Sequence, residues 1–311
     1  MKMLTSYDFN EIRNWIYRNA RQIQLTRWQY EFEDGSEEAV IDALAFYQNE
    51  DGGFGNTLEP DNWNPNSTPY TTAYAIEILK LVGLTDKDHP IMKGIMQFLE
   101  SGEYCHENGW QFTILTNEDY PCALWWAYKF GDEMKYSGTT AALVCFILEY
   151  AEIGSSLYKK AIAIAKKLIR KLRVSVEDLD GGGVIMLETL EKLGLISEFN
   201  AEFLVNYVDK AVESVLVRDP TKWSEVCWRP SFFIKNPNSQ FYDRNREVIN
   251  LELDWLIKTR QVKGVWDIPW KWYREDEESK RASAISENWW RSIMAIENMR
   301  FLRSFDRVEL V

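Results

Sequence analysis

Histidine is almost absent from this chain, which has only His89 and His106. Both histidines lie near predicted turns, and Cys105-His106 has no partner at the spacing of a metal ligand. The cysteines show no metal-like pairs either, so we expect no metal and no other cofactor, and we expect free thiols in a cytoplasmic protein. The four cysteines are Cys105, Cys122, Cys145 and Cys227.

Long apolar runs and an excess of positive charge are also missing. The longest clean apolar run covers residues 141–148 and ends at Glu149, so we expect no transmembrane segment. Residues 1–8 do not have the pattern of a signal peptide. Lysine and arginine together number 36 against 48 acidic residues, and this net charge of −12 argues against nucleic acid as a partner.

Strand patterns and linkers are nearly absent, whereas apolar residues recur at helical spacing along most of the chain. Hydrophobic residues make up 46% of the sequence, enough for a large core. We therefore predict an all-α protein with one domain over residues 1–311. The predicted helices cover residues 7–26, 36–49, 68–82, 89–100, 120–130, 138–153, 156–173, 182–194, 200–217, 241–259 and 283–305.

The most informative stretch is a glycine-rich turn between two helical patterns. It reads Gln48-Asn49-Glu50-Asp51-Gly52-Gly53-Phe54-Gly55, and a polar loop then leads to Thr71-Thr72-Ala73 in the next helix. The glycines end the first helix, because glycine tolerates the positive φ that a helix end needs. Ser67 or Thr68 is expected to cap the second helix, with Pro69 in its first turn.

Parts of this unit recur elsewhere in the sequence. Thr-Thr-Ala returns at residues 139–141, and glycine precedes an aromatic residue at Gly109-Trp110 and in Gly264-Val265-Trp266. Asp180-Gly181-Gly182 and Asn236-Pro237-Asn238-Ser239 again precede helical patterns, the latter repeating residues 64–67. Repeated helical hairpins at such periods indicate a solenoid or a closed toroid.

The unit resembles the glycine-aromatic repeat of the squalene-cyclase and protein-prenyltransferase superfamily. In that family a helix ends in glutamine, a glycine and an aromatic residue follow, and a loop enters an inner helix. Gln48, Gly52 and Phe54 fit this spacing. The resemblance implies an α/α toroid of about six helical hairpins, with an inner and an outer ring of helices. Which helices between residues 120 and 173 belong to the inner ring and which to the outer ring stays open.

The catalytic signatures of that superfamily are missing. Glu225-x-Cys227 is similar to the zinc-binding pair of the prenyltransferases, but no histidine follows His106, and we reject a zinc site. The Asp-x-Asp-Asp acid of the cyclases does not occur. The nearest acidic clusters are residues 177–180 and residues 275–278, and the second is expected to be a solvated charge run.

Four carboxylates are candidate catalytic residues. Glu59 and Asp61 lie on the loop that enters the third helix, where two acids could act as general acid and base. Glu225 lies in the long loop at residues 219–240. Glu287 belongs to the segment that we expect to open the last helix, where it could equally complement the helix dipole.

Tryptophan supplies most of the candidate ligand-binding residues. Eight of the 14 tryptophans lie between residues 223 and 290. Indoles in a cavity beside carboxylates suit sugar stacking or carbocation stabilisation, while a capping loop that fills the toroid is the alternative. Arg229 is a candidate for holding an anionic group. The predicted ligand-binding residues are Trp63, Asn66, Trp228, Arg229, Trp266, Trp270 and Asn288.

Two functions from different classes fit these patterns. The first is an enzyme that performs acid/base chemistry on a sugar-like or prenyl-type small molecule bound in the toroid cavity. The second is a non-catalytic binding or scaffold protein, and a prenyltransferase that has lost its zinc ranks third. The basic stripe at residues 159–173 is expected to be the polar face of an outer helix, with contact to an anionic membrane surface as the alternative.

Overall fold

A computed structural model describes residues 2–131, 137–174, 182–272 and 276–309. Within these residues the protein is mainly helical, which confirms the predicted all-α class. One short antiparallel hairpin pairs Cys105–His106 with Gly109–Trp110. The twelve helices of the described residues are α1 Ser6–Asn19, α2 Gln22–Phe32, α3 Glu37–Ala45, α4 Pro69–Leu81, α5 Pro90–Ser101, α6 Gly138–Tyr150, α7 Ser156–Val174, α8 Gly182–Leu193, α9 Phe203–Val215, α10 Pro230–Phe233, α11 Tyr242–Thr259 and α12 Glu277–Ser304.

Local sequence signals place most helix boundaries correctly. Thr68 caps α4 by accepting a hydrogen bond from the Thr71 backbone N–H, and Pro69 is the first helical residue, as predicted. Gly83 follows α4 with a φ of +79°, the left-handed conformation expected of a glycine after a helix.

The predicted helix over residues 7–26 is wrong as one continuous element. It is divided into α1 and α2 at Ala20 and Arg21, both of which have extended backbone conformations. Long-range contacts hold this break in place. The Arg21 guanidinium lies 4.6 Å from the centre of the Trp289 ring, and the Asn288 side chain donates to the Asn19 carbonyl.

The predicted helix over residues 120–130 is absent. Its segment pairs instead with the loop that follows Glu59, because the Trp63 N–H donates to the Pro121 carbonyl and the Ala123 N–H donates to the Asp61 carbonyl. Asn62 and Cys122 form an isolated antiparallel bridge between these two strand-like segments. Tertiary hydrogen bonds therefore override the helical spacing of the apolar residues here.

The last helix begins earlier than predicted. Asp276 caps α12 by accepting a hydrogen bond from the Ser279 N–H at 2.7 Å, so part of the supposed solvated charge run is a helix start. Glu287 consequently lies in the helix interior, and the alternative role that we considered for it in the first turn is wrong. The acidic residues at 177–180, the Asp180-Gly181 pair and Glu275 lie outside the described residues.

The chain divides into two compact units. Unit 1 comprises residues 1–43 and 213–311, and unit 2 comprises residues 44–212. In unit 1, α12 packs against α1 and α2, and α11 packs against α10 and the short 3₁₀ helix Pro220–Lys222. The single domain over residues 1–311 stays a prediction.

Unit 2 is built around α6. Residues Thr139 to Leu148 of this helix are buried almost without interruption, as expected of a helix that is apolar on all sides. It packs against α4, α7 and α8 and against the strand Gly109–Trp110. The burial of this apolar helix on all sides contributes hydrophobic stabilisation to unit 2.

A backbone-to-threonine hydrogen bond links two of the glycine-aromatic turns to the helix that follows each of them. The Phe54 backbone N–H donates to the Thr72 hydroxyl oxygen at 3.0 Å, and the Trp110 N–H donates to the Thr140 hydroxyl oxygen at 2.9 Å. Both threonines are the second residue of a Thr-Thr-Ala sequence. Because a Cβ at Gly109 would lie 2.4 Å from the Thr140 hydroxyl oxygen, glycine is required there.

Two further repeats of the sequence adopt the same local geometry as their counterparts. The Asn49 N–H donates to the Gly53 carbonyl, and the Gln261 N–H donates to the carbonyl of Val265, four residues on in both cases. Asn64 and Asn236 each accept a hydrogen bond from the backbone N–H two residues later, at 3.0 and 2.8 Å. The degenerate sequence repeats therefore share the hydrogen bonds within their turns.

Gln48 links the glycine-rich turn at residues 48–55 to α5 through hydrogen bonds. Its side-chain amide donates to the carbonyl oxygens of Gly52 and Ile91 at 2.9 and 3.0 Å. Gly52 has a φ of +88°, and a Cβ there would lie 1.9 Å from the Gly94 carbonyl oxygen. The predicted glycine stop is therefore also a point of close backbone contact.

The basic stripe lies on α7, whose opposite face is buried. Lys160 lies 6.0 Å from the centre of the Trp110 ring, and Lys166 lies 5.8 Å from that of Phe199. Lys167 donates to the Glu107 carbonyl. Contact with a membrane surface stays a prediction, and none of the helices in the described ranges has the length and apolarity to cross a bilayer.

The threonine hydrogen bond gives a matched pair of variants on adjacent residues. Thr140→Val leaves the buried Trp110 N–H without its acceptor and is expected to cost about 1–3 kcal/mol of unfolding free energy. The neighbouring Thr139 hydroxyl is buried without a hydrogen bond. Thr139→Val should therefore be neutral or stabilising. Urea unfolding measures both variants, and equal losses of unfolding free energy in the two would contradict a stabilising role of the hydrogen bond.

Candidate functional site

Unit 1 contains a cavity of about 470 Å³, within the size range of small-molecule sites. Its wall is formed by the segment before α10, by α11, by the loop after α11 and by α12. The described lining residues are Pro220, Thr221, Trp223, Ser224, Arg229, Trp255, Thr259, Gln261, Trp266, Asp267, Ile268, Pro269, Met294 and Asn298.

Three tryptophans give the cavity its aromatic surface. The Trp223 indole N–H donates to the Val217 carbonyl, and the Trp266 indole N–H donates to the Leu256 carbonyl, so both rings are held in fixed positions. The Trp255 ring meets the Trp223 ring edge to face, with 5.9 Å between their centres. Trp255 is only partly buried, and its indole N–H makes no hydrogen bond to the described residues.

Arg229 brings a positive charge into this aromatic wall. The residue is 8% exposed, and its guanidinium lies 5.3 Å from the centre of the Trp255 ring. Its Nε lies 3.6 Å from a carboxylate oxygen of Glu252, which is an ion pair but too long for a hydrogen bond. The guanidinium makes no hydrogen bond to the described part of the chain.

Glu252 is the buried carboxylate behind Arg229. It is fully buried on α11 and accepts hydrogen bonds from the Ser231 backbone N–H at 2.8 Å and from the Ser231 hydroxyl at 2.5 Å. Burial raises the pKa of Glu252 above its ordinary value, and the Arg229 charge and the Ser231 hydrogen bonds oppose this shift without cancelling it.

Two further polar side chains of the lining differ in the hydrogen bonds and ion pairs that they make. Asp267 accepts from the Gln261 amide at 2.7 Å and pairs with Arg291 at 2.8 Å. Asn298 is 5% exposed, yet its side-chain amide makes no hydrogen bond to the residues that the structure describes. Arg229 and Asn298 are therefore buried polar side chains whose hydrogen-bonding groups face a cavity.

Two of the predicted ligand-binding residues, Arg229 and Trp266, meet in this cavity. Trp228 lies outside the lining, is 39% exposed and packs on Phe232 and Phe233. Trp270 also lies outside the lining and meets Trp290 edge to face at 5.1 Å.

Three other predicted polar residues of unit 1 do not line the cavity. Glu225 is exposed in the loop before α10. Glu287 accepts a hydrogen bond from Arg291 at 2.8 Å, and Asn288 donates to the Asn19 carbonyl. The structure gives both of these α12 residues a packing or pairing role, and their catalytic or binding roles stay predictions.

The other four predicted residues belong to unit 2. Glu59 and Asp61 are buried, 3% and 1% exposed, whereas Trp63 is half-buried and Asn66 is exposed. The burial of Tyr70, with Glu59 as the largest electrostatic contribution, raises the pKa of the Tyr70 hydroxyl well above its ordinary value. The catalytic and binding roles of these four residues stay predictions.

A buried asparagine network supports the loop that carries Glu59 and Asp61. Asn64 donates to the hydroxyl of Thr116 at 2.8 Å and to the side chain of Asn117 at 2.9 Å. Asn117 in turn donates to the Trp126 carbonyl. The predictions missed this network, because nothing in the local sequence indicates that residues 62–64 and 116–117 meet.

The lining residues that the predictions missed include Trp223, Trp255 and Asn298. Trp223 and Trp255 belong to the tryptophan-rich part of the sequence, so composition could have pointed to them. Asn298 gave no such signal, because it lies in the middle of an amphipathic helix pattern.

No protein family, curated protein or solved structure matches the chain. Within the described ranges, no group of three His, Cys, Asp or Glu side chains is arranged to hold a metal ion. The geometry of the cavity therefore carries the functional argument alone.

The raised pKa of Glu252 predicts a pH effect on stability. The unfolded chain ionises this carboxyl near pH 4.5, whereas the folded protein holds the proton to higher pH. The contribution of Glu252 to the unfolding free energy should therefore fall as pH rises from about 4.5 through the folded pKa.

Glu252→Gln has no carboxyl to titrate at this position. Its unfolding free energy should therefore rise relative to that of the wild type as pH increases over the same interval. Urea unfolding at several pH values measures the difference. Glu247→Gln, which changes an exposed carboxylate on the same helix, is the control. A constant difference between wild type and Glu252→Gln at all pH values would contradict the shift.

Proposed function

We propose that the protein binds a small sugar-like molecule in the tryptophan cavity of unit 1. The observation that carries this proposal is the combination of an aromatic wall with the buried Arg229 and Asn298, whose side chains make no hydrogen bond to the described residues. A ligand that offers both apolar ring faces and hydroxyl groups would satisfy both features.

Sugars fit this combination for physical reasons. The C–H face of a pyranose ring packs on an indole, while its hydroxyl groups need donors and acceptors when they leave water. The Trp255 N–H and the Asn298 amide supply such groups, and Trp223 and Trp266 are held rigidly by their own hydrogen bonds. Rigid walls lower the entropy cost of binding.

We also propose the α/α toroid as the finer description of the fold. Within unit 2, α6 contacts both α4 and α8 as well as its sequence neighbour α7. Contacts between alternate helices are what an inner ring would produce. The shared hydrogen bonds of Phe54 with Thr72 and of Trp110 with Thr140 support equivalent positions for α4 and α6. The cytoplasmic location is proposed from cysteine usage alone.

Binding without catalysis is the simpler function for this cavity. Its single described carboxylate, Asp267, already pairs with Arg291 and with Gln261. A carboxyl that acts as general acid or base must lie within reach of the ligand and be free to exchange a proton. The predicted acids Glu225 and Glu287 lie outside the lining.

Acid/base catalysis in unit 2 is the second candidate. Glu59 and Asp61 are buried beside Tyr70, whose ring contacts Trp126 at 4.3 Å and Phe112 at 5.5 Å. Buried titratable groups with shifted pKa values are typical of catalytic sites, although structural clusters share this property.

Trp255 offers the direct test of the proposed function. We expect neutral and acidic mono- and disaccharides to raise the melting temperature of the wild type, because a ligand that binds the folded state stabilises it. Trp255→Ala should weaken the binding of the best saccharide about tenfold, from the loss of one stacking surface. Isothermal titration calorimetry measures the change.

Trp228→Ala is the matched control, since it removes an indole of the same unit that lies outside the cavity lining. It should leave saccharide affinity unchanged. Equal losses in the two variants, or no binding of any saccharide by the wild type, would contradict the proposal.

The second candidate predicts turnover that depends on the buried acids. Glu59→Gln and Asp61→Asn should each lower the hydrolysis or epimerisation of a bound saccharide by at least about a hundredfold if these groups act as acid and base. Glu118→Gln changes another acid of unit 2 and serves as the control. Unchanged product formation in all three variants would reject catalysis by this pair.

A further inference from the structure

The guanidinium of Arg229 is the most unusual group in the cavity. Its side chain is 10% exposed, and it is the only positively charged residue among the described lining residues. A guanidinium has five N–H donors in a planar fork. Here none of them donates to the described chain within hydrogen-bond distance, so the site holds donor capacity that the protein does not use.

The neighbouring Glu252 does not use that capacity either. Its two oxygens already accept from the Ser231 backbone N–H and hydroxyl, at 2.8 and 2.5 Å. The distance of 3.6 Å to the Arg229 Nε leaves the guanidinium attracted but without a hydrogen bond. Glu252 therefore attracts Arg229 to the cavity lining, while the N–H donors of the guanidinium stay available to a ligand.

Asn298 supplies an independent indication of a polar ligand. It lies on α12, whereas Arg229 precedes α10, so the two reach the cavity from different elements. Asn298 is 5% exposed and offers one acceptor and two donors that the described chain does not satisfy. Its amide faces the cavity, where water or a bound molecule can complete its hydrogen bonds.

The charge of the cavity decides which kind of ligand fits. Three tryptophans around a cavity could bind an organic cation, but a cation would meet the Arg229 guanidinium that already lies 5.3 Å from the Trp255 ring centre. A doubly charged phosphate would meet the buried Glu252 carboxyl behind Arg229. A carboxylate carries a single charge and matches the planar fork of the guanidinium with two parallel hydrogen bonds.

We propose that the ligand of the tryptophan cavity carries a carboxylate that binds Arg229 in a bidentate manner, so that the natural ligand is an acidic sugar such as a uronate. Asn298 binds a hydroxyl group of the same molecule from α12. This inference rests on the proposed sugar binding and adds the charged group that determines specificity.

Matched ligands test the charged group separately from the ring. Calorimetric titration of the wild type compares glucuronate with glucuronamide, which keeps the ring and loses the charge, and with glucose. We expect glucuronate to bind at least about tenfold more tightly than either neutral sugar, since bidentate ion pairs are the strong ones. The titrations also include phenylacetate, a carboxylate without a sugar ring, and inorganic phosphate, an alternative anion.

Two variants test the assigned residues. Arg229→Lys keeps the charge and removes the planar fork, so it should lower the affinity for glucuronate more than that for glucose. Asn298→Asp keeps the shape and adds a negative charge to the lining, and should also act selectively against glucuronate. Arg246→Lys, on the exposed side of α11, is the control and should change neither affinity. Circular dichroism and melting curves check that each variant folds.

The outcomes separate this inference from the proposed function. Equal affinity for glucuronate, glucuronamide and glucose would overturn the carboxylate while leaving sugar binding intact. Binding of phenylacetate without any sugar would support the carboxylate at Arg229 and reject the sugar. Preferential binding of phosphate would overturn the carboxylate. Loss of glucuronate binding in Arg229→Lys and Asn298→Asp, with normal folding, is the supporting result.

Discussion

The need of a buried backbone N–H for an acceptor is the constraint on which the architecture of unit 2 depends. Two glycine-aromatic turns bury their aromatic residues, Phe54 and Trp110, and the N–H of each residue is buried with it. A threonine hydroxyl at the start of the following helix is the acceptor in both cases. The hydrogen bond therefore fixes where α4 and α6 begin relative to the turns that precede them.

The cavity of unit 1 is lined by polar groups that make no hydrogen bond to the described residues. Arg229 and Asn298 have unused hydrogen-bonding groups, while Trp223 and Trp266 are held by hydrogen bonds to backbone carbonyls. Polar groups that face a cavity can bind a polar ligand there in place of water. The contrast between rigid aromatic walls and polar groups without a protein partner is the physical basis for proposing that the cavity binds a ligand.

Local chemistry explains which parts of the fold were predictable. Thr68, Pro69 and Gly83 mark the ends of α4 through interactions that span only a few residues. The errors occur where distant segments decide the conformation. Residues 120–130 have helical spacing, but their backbone pairs with residues 61–63. The break between α1 and α2 is likewise held by contacts to Asn288 and Trp289 of α12.

The sequence by itself determined the all-α class, most helix boundaries and the repeated turns, because caps, glycine conformations and apolar spacing act over a few residues. It also singled out Arg229 and Trp266, which lie in one cavity lining. Only the tertiary structure decided that Trp223, Trp255 and Asn298 join them, since these residues come from three segments far apart in the chain. Which side chains share a cavity, and which of them stay without a hydrogen bond, depends on packing between those segments.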